Sequence, residues 1–118
     1  MKRLTKSEEE IMQIIWRLER CTVSEVIKEL GLPKPPHSTI SSIVRILEKK
    51  GFVDHKAYGR TYEYFPIVTR EDYSKKTLKE FVSNYFEGSM NRLVSFMVKE
   101  NDLDVEDLSD LLKKMEEE

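Results

Sequence analysis

Ser38, Ser41, Ser42, Arg45 and Lys49 follow one another at spacings that gather them on one side of a helix. Short hydroxyls stand at its start and cations behind them. That order suits a duplex major groove, because small residues let a helix approach base edges while cations reach phosphates. Ser38, Thr39, Ser41 and Ser42 are the candidates for base edges and for phosphates near the helix N-terminus. One of Ser38 and Thr39 is alternatively the helix cap. Hydroxyls contact any base, so no base preference follows from them. Lys50, His55, Lys56 and Arg60 extend the cationic set. Arg60, beside Gly59, stands where a loop tip would enter a minor groove or meet a phosphate. Tyr62 either donates to a phosphate or covers the core face of a hairpin.

These residues need a scaffold, and the apolar periodicity supplies one. Ile40, Ile43, Val44 and Leu47 fall at i, i+3, i+4 and i+7, a stripe to be buried behind the hydroxyls and cations. Gly51 stands as a C′ residue after the last turn. Upstream, Thr5-Lys6-Ser7-Glu8 and Thr22-Val23-Ser24-Glu25 are two capping boxes. The first opens a helix burying Ile11, Ile14, Ile15 and Leu18. The second opens a shorter one burying Val26, Ile27 and Leu30, closed by Gly31. Trp16 and Ile46 flank the stripes and are expected in the core. Cys21-Thr22-Val23 offers a short strand. The connector Leu32-Pro33-Lys34-Pro35-Pro36-His37 cannot be helix, since proline removes donors and restricts its predecessor. After Gly51 the period changes to two. Phe52–Ala57 and Thr61–Phe65 read as strands around a Tyr58-Gly59-Arg60 turn. A lone hairpin is marginal in water and must pack on the helices. Three helices followed by a hairpin is the order of a winged helix-turn-helix, over residues 1–67.

Residues 68–118 change character. Thr69 is a candidate N-cap for a helix with the stripe Leu78, Phe81, Val82, Tyr85 and Phe86. Gly88-Ser89 breaks it, and Met90, Leu93, Val94, Met97 and Val98 form a second stripe. Val105, Leu108, Leu111, Leu112 and Met115 form a third. So small a three-helix unit carries more apolar surface than it can cover alone, and such units usually persist by oligomerising or through metal or disulfides. The expected interface of a homodimer comprises Leu78, Phe81, Val82, Tyr85, Leu93, Phe96, Met97, Leu108, Leu111 and Leu112. The alternative is that these helices fold back on the first domain. The whole is a mainly α chain with a small β-hairpin.

Charge divides the same way. Residues 1–66 hold 12 Lys/Arg and 9 Asp/Glu, a net +3, while residues 67–118 are at −5. A weakly basic half meets an anion and an acidic half does something else. The single cysteine, Cys21, excludes an internal disulfide framework and multi-cysteine metal sites, and is expected as a small core hydrophobe. His37 and His55 show no Cys/His/Asp neighbours in sequence at metal spacing, and no glycine-rich phosphate loop is present. Catalysis, metal and cofactor are therefore not expected. The first residues lack an apolar core of a signal peptide, and no run nears the ~18 apolar residues of a membrane span. A cytoplasmic protein without stable membrane association is the expectation.

The stretches Leu4-Thr5-Lys6-Ser7-Glu8-Glu9-Glu10-Ile11-Met12-Gln13-Ile14-Ile15-Trp16 and His37–Gly51, the aromatic hairpin, and Phe81–Val94 together resemble the BlaI/MecI family of penicillinase repressors. The resemblance spans nearly the whole chain. It implies a dimeric winged-helix repressor on an operator with dyad symmetry, with a C-terminal helical dimerisation domain. It further implies relief of repression by proteolysis in that domain, triggered by a membrane metalloprotease sensor. Family members with well-defined operators carry Lys and Arg at the positions of Ser38 and Ser41, so the operator sequence does not carry over. The family's Asn-Phe cleavage bond corresponds here to Phe96-Met97, without the Asn. A copper-responsive branch of similar fold carries paired C-terminal cysteines, absent here. Rival readings are a winged-helix protein-interaction adaptor and a small-molecule-responsive repressor. The latter is disfavoured because the apolar stripes reveal no polar ligand cavity.

Overall fold

A computed structural model of the chain describes residues 1–101 and 113. Its elements run α1 (Lys6–Leu18), α2 (Val23–Leu30), α3 (His37–Lys49), β1 (Val53–Tyr58), β2 (Thr61–Pro66), α4 (Arg70–Tyr85) and α5 (Met90–Asn101). Two compact units result, residues 1–70 and 71–118.

The first unit has the winged-helix order, and its helix starts follow from local chemistry. Thr5 Oγ accepts from the Glu8 amide at 3.2 Å, and the Glu8 carboxylate accepts from the Thr5 amide at 3.1 Å. Thr22 and Glu25 repeat the exchange for α2. Each box satisfies two amides that a helix start would otherwise leave unpaired. Helix α3 starts differently. Its N-cap is Pro36, with no side-chain cap hydrogen bond. Neither Ser38 nor Thr39 caps it, as one of them was expected to. Proline pre-sets an extended residue before the first turn, and its carbonyl accepts from the Thr39 amide at 3.1 Å.

The stripes meet in one core. Ile11, Met12, Ile14 and Ile15 of α1 are buried, with Val26 and Ile27 of α2 and Ile40, Val44 and Leu47 of α3. Phe52 and Val53 close it from below and Tyr64 from the hairpin. Trp16 joins this core as expected, and its Nε1–H donates to the Val68 carbonyl at 2.8 Å. Ile46 does not, because it lies off the Ile40–Val44–Leu47 stripe; it is 44% exposed. Ile43 is only half-buried.

β1 and β2 pair antiparallel with Tyr58 opposite Thr61. The turn is therefore the two residues Gly59-Arg60, one shorter than expected. Gly59 has φ 63°, the positive value that the first position of a II′ hairpin turn reserves for glycine. Of the expected strand Cys21-Thr22-Val23, only Cys21 pairs, as an isolated bridge, because Thr22 caps α2 and Val23 begins it. The Cys21 amide donates to the Tyr64 carbonyl at 2.9 Å, and its carbonyl accepts from the Tyr64 amide at 2.7 Å. β2 is thus paired on both sides, and β1 is left as the edge.

In the second unit, α4 follows directly on Thr69, and Ser89 Oγ accepts from the Arg92 amide at 3.2 Å to start α5. The Gly88-Ser89 break is where the sequence pattern put it. Val82 and Leu93 are buried. Phe81 packs on Tyr85 and Phe86, and Phe86 packs on Phe96, with ring centroids 5.0, 5.7 and 5.6 Å apart. Phe81, Tyr85 and Phe96 nonetheless keep 45%, 72% and 51% of their surface exposed. The third expected stripe, with Leu108, Leu111 and Leu112, lies outside the described residues.

Candidate nucleic-acid interface

Helix α3 buries one face against α1 and α2 and turns the other outward. Ser38, Thr39, Ser42, Arg45 and Lys49 are exposed there, and Ser41 is half-buried. Beside this face the hairpin projects, ending in exposed Arg60. Between them lies an open concavity of about 420 Å³. It is lined by Ser41 and Arg45 of α3, by Arg60, Tyr62 and Tyr64 of the hairpin, and by Thr22, Val23 and Ser24 where α2 begins. The apolar stripes gave no sign of this hollow, because it exists only where α2, α3 and the hairpin come together.

Four of the expected residues, Ser41, Arg45, Arg60 and Tyr62, are thus brought together around one hollow. Lys49 stands one turn beyond Arg45 on the same helix face. Among the described residues no ion pair holds Arg45, Lys49, Lys56 or Arg60. Lys56 lies apart from the others. Paired with Glu63, it belongs to the hairpin face opposite the one that carries Tyr62 and Tyr64.

Tyr62 packs within the hairpin and keeps part of its surface open. Its ring stacks on the His55 imidazole, with centroids 4.3 Å apart and planes 17° off parallel. It remains 47% exposed, so one side of the ring covers His55 and the other faces the hollow.

Lys50 and His55 are corrections to the cationic set. The Lys50 ammonium donates to the Glu8 carboxylate and, at 3.0 Å, to the Arg3 carbonyl. It is committed to holding α3 on α1. Burial would push the Glu8 carboxyl up, but the Lys50 bond, the Thr5 amide and the Lys50 charge together hold it below its ordinary value. His55 Nδ1 pairs with the Glu48 carboxylate across the α3–β1 turn. Burial pushes the Tyr64 hydroxyl upward in pKa, with the charge of Glu48 adding to it and that of Arg45 opposing. The absence of donors around His55 is a further correction. The turn at Gly51 folds Glu48 back, so that Glu48, Asp54 and His55 each offer a ligand atom within 4.8 Å of the others.

His37, Ser24 and Thr61 are lining residues missed in the sequence. For Ser24 a signal existed: the second capping box marks a helix N-terminus, where free amides favour anions. His37 carried none, since its place depends on the course of the proline connector.

Comparison with known proteins agrees with this architecture. Over 115 residues the chain is 31% identical to the methicillin resistance regulatory protein MecI of Staphylococcus aureus strain N315, covering 94% of each. It is 29% identical over 115 residues to the penicillinase repressor of Bacillus licheniformis, covering 97% of this chain and 90% of that protein. The solution structure of the DNA-binding domain of the repressor BlaI superposes with a TM-score of 0.53 at 34% identity, over 62% of this chain and 94% of that domain. The Bacillus licheniformis BlaI monomer, solved in complex with the blaP half-operator, gives 0.51 at 33% identity, over 61% of this chain and 89% of that one. The family model for penicillinase repressors matches residues 4–117, and the chain belongs to that family of transcriptional repressors, which are not enzymes.

Proposed function

We propose that this protein is a dimeric repressor that reads a dyad operator in double-stranded DNA by inserting α3 into the major groove. The observation that carries this reading is the set of exposed, unpaired cations on α3 and the hairpin around one polar hollow. Lys50, the cation that points elsewhere, is tied to the core. In this reading Arg45, Lys49 and Arg60 neutralise phosphates, Lys56 adds a contact from the outer face of the hairpin, and Ser38, Thr39, Ser41 and Ser42 approach base edges. The Tyr62 hydroxyl donates to a backbone phosphate, and the α2 N-terminus at Ser24 takes another. The BlaI half-operator complex, whose protein is 33% identical to this chain, supports the choice of ligand.

Dimerisation falls to the second unit, through Leu78, Phe81, Tyr85, Phe96 and Met97, with Leu108, Leu111 and Leu112; Val82 and Leu93, expected in the same interface, are instead buried within the unit. The exposed aromatic cluster Phe81, Tyr85 and Phe96 supports that assignment, since contiguous apolar surface of this kind marks an interaction site. Loss of the dimer would release the operator, and a membrane metalloprotease sensor is the trigger consistent with this family. Phe96-Met97 lies inside α5, so cleavage there requires α5 to open first. Among the described residues no helix is long and apolar enough to cross a membrane.

Salt-titrated binding to promoter DNA tests the proposal. Arg45, Lys49 and Arg60, three phosphate-directed cations per chain, predict that log K falls against log salt with a slope of about −5 for the dimer, somewhat steeper with the outer contact of Lys56. An adaptor that docks proteins would form no specific DNA complex at physiological salt.

A further inference from the structure

We propose that Glu48, Asp54 and His55 form a binding site for a divalent first-row transition-metal ion, of which zinc is the type, where α3 meets the edge of β1. The pairing of the sheet explains why these three converge. Tyr64 spends both its amide and its carbonyl on Cys21, so His55, opposite Tyr64, sits at a position of β1 not bonded to β2. The His55 amide therefore faces the open edge, where the Asp54 carboxylate accepts it at 2.8 Å. This draws Asp54, a residue of the other strand face, back toward the imidazole. Glu48 arrives from the last turn of α3 and meets the same ring.

The donor set decides the class of ion. Two carboxylates with one imidazole suit zinc and its neighbours, whereas calcium and magnesium prefer oxygen alone. The three ligand atoms lie within 4.8 Å of one another. Tetrahedral bonds of about 2.1 Å set donors about 3.4 Å apart, so Glu48 and His55, now in direct hydrogen-bond contact, part to admit the ion while Asp54 closes in. Asp54 is exposed and held toward the site by the His55 amide, while the imidazole is held in orientation by the Tyr62 stack. Among the described residues neither carboxylate is paired with a lysine or arginine. Among the described residues the two carboxylates thus converge with only the His55 imidazole as a partner to Glu48, next to the hollow where Arg45 and Tyr64 stand. Three protein ligands leave water in the remaining positions. A bound ion would clamp the end of α3 to the hairpin.

The experiment uses full-length, chelator-treated protein without DNA, so its outcome is independent of the repressor reading. Cobalt(II) is titrated and followed by its visible d–d absorption, and zinc is titrated by calorimetry. The expected result is one saturable site per chain. Asp54→Asn and Glu48→Gln should each weaken it by about tenfold or more, with unfolding of the metal-free variants unchanged, while His37→Asn leaves affinity intact. Absence of saturable binding overturns the proposal. So does binding that survives both carboxylate variants, or binding that follows His37. Asp54 is exposed at a strand edge, so its variant keeps the test valid should Glu48→Gln disturb the fold.

Discussion

Lys50 donates its ammonium to the Glu8 carboxylate, joining the end of α3 to the first turn of α1. The same Oε1 accepts the Thr5 amide, so one buried oxygen closes a helix cap and an interhelical tie together. Removing the cation leaves a buried charge without its partner, which is more costly than never having had the pair. Lys50→Ala should therefore destabilise the protein by about 3 kcal/mol in denaturant unfolding. The pH dependence follows from Glu8. Its folded pKa is lowered from the ordinary 4.5, so its contribution is complete above that value and is lost as acid titrates the carboxylate through the lowered one. Glu8→Gln should cost stability at neutral pH and flatten the acid limb of the stability curve.

Cys21 should be inert while the protein is folded. Burial first, then the charges of Glu25 and Glu63, push its thiol from 9.0 up to about 11. That shift alone cuts the thiolate fraction at pH 8 by about 100-fold, and burial limits access further. A disulfide reagent should modify Cys21 rapidly in denaturant and very slowly without it. Fast labelling of the native protein would contradict the strand pairing between Cys21 and Tyr64.

What the sequence made legible, and what it hid, divides along chain separation. Thr5 with Glu8 and Thr22 with Glu25 are three residues apart, so their exchange of hydrogen bonds is a property of the local chain. The stripes of α1 to α3 and the break at Gly88 are local in the same sense. Lys50 and Glu8 are 42 residues apart, and nothing in the pattern around Lys50 separates it from Lys49, which is exposed. The Glu48–His55 pair needs the α3–β1 turn to be closed before it exists. Periodicity assigns a face but not what stands opposite it, and for that reason Lys50, His55 and Ile46 were misplaced while Arg45 and Arg60 were found exposed, as expected. The hollow between α2, α3 and the hairpin was invisible for the same cause.

Arg45→Ala and Arg60→Ala should each weaken operator binding and lower the magnitude of the salt slope by about 2 in a dimer, one phosphate per chain. Neither arginine is buried or paired among the described residues, so thermal unfolding should stay within about 0.5 kcal/mol of the parent. Lys56→Ala should have a smaller effect, because Lys56 sits with Glu63 on the far hairpin face. Fluorescence anisotropy over a range of salt concentrations measures all three. An equal loss for Lys56 would mean that the duplex straddles the hairpin.

The aromatic cluster of the second unit offers the sharpest test of assembly. Phe96 and Tyr85 touch Phe86 and Phe81, yet both present more than half of their surface outward. A charge on either outward face should be tolerated by one chain and refused by two. Phe96→Glu with Tyr85→Glu should therefore yield a folded monomer by sedimentation and circular dichroism, whereas Val82→Glu, at a buried position, should unfold the unit itself. If both half-sites are held by one dimer, the monomer should bind a half-operator as the parent chain does and lose about 100-fold or more on the full operator, through lost effective concentration. Retained dimers with Phe96 and Tyr85 both charged would move the interface to the other apolar residues of this unit.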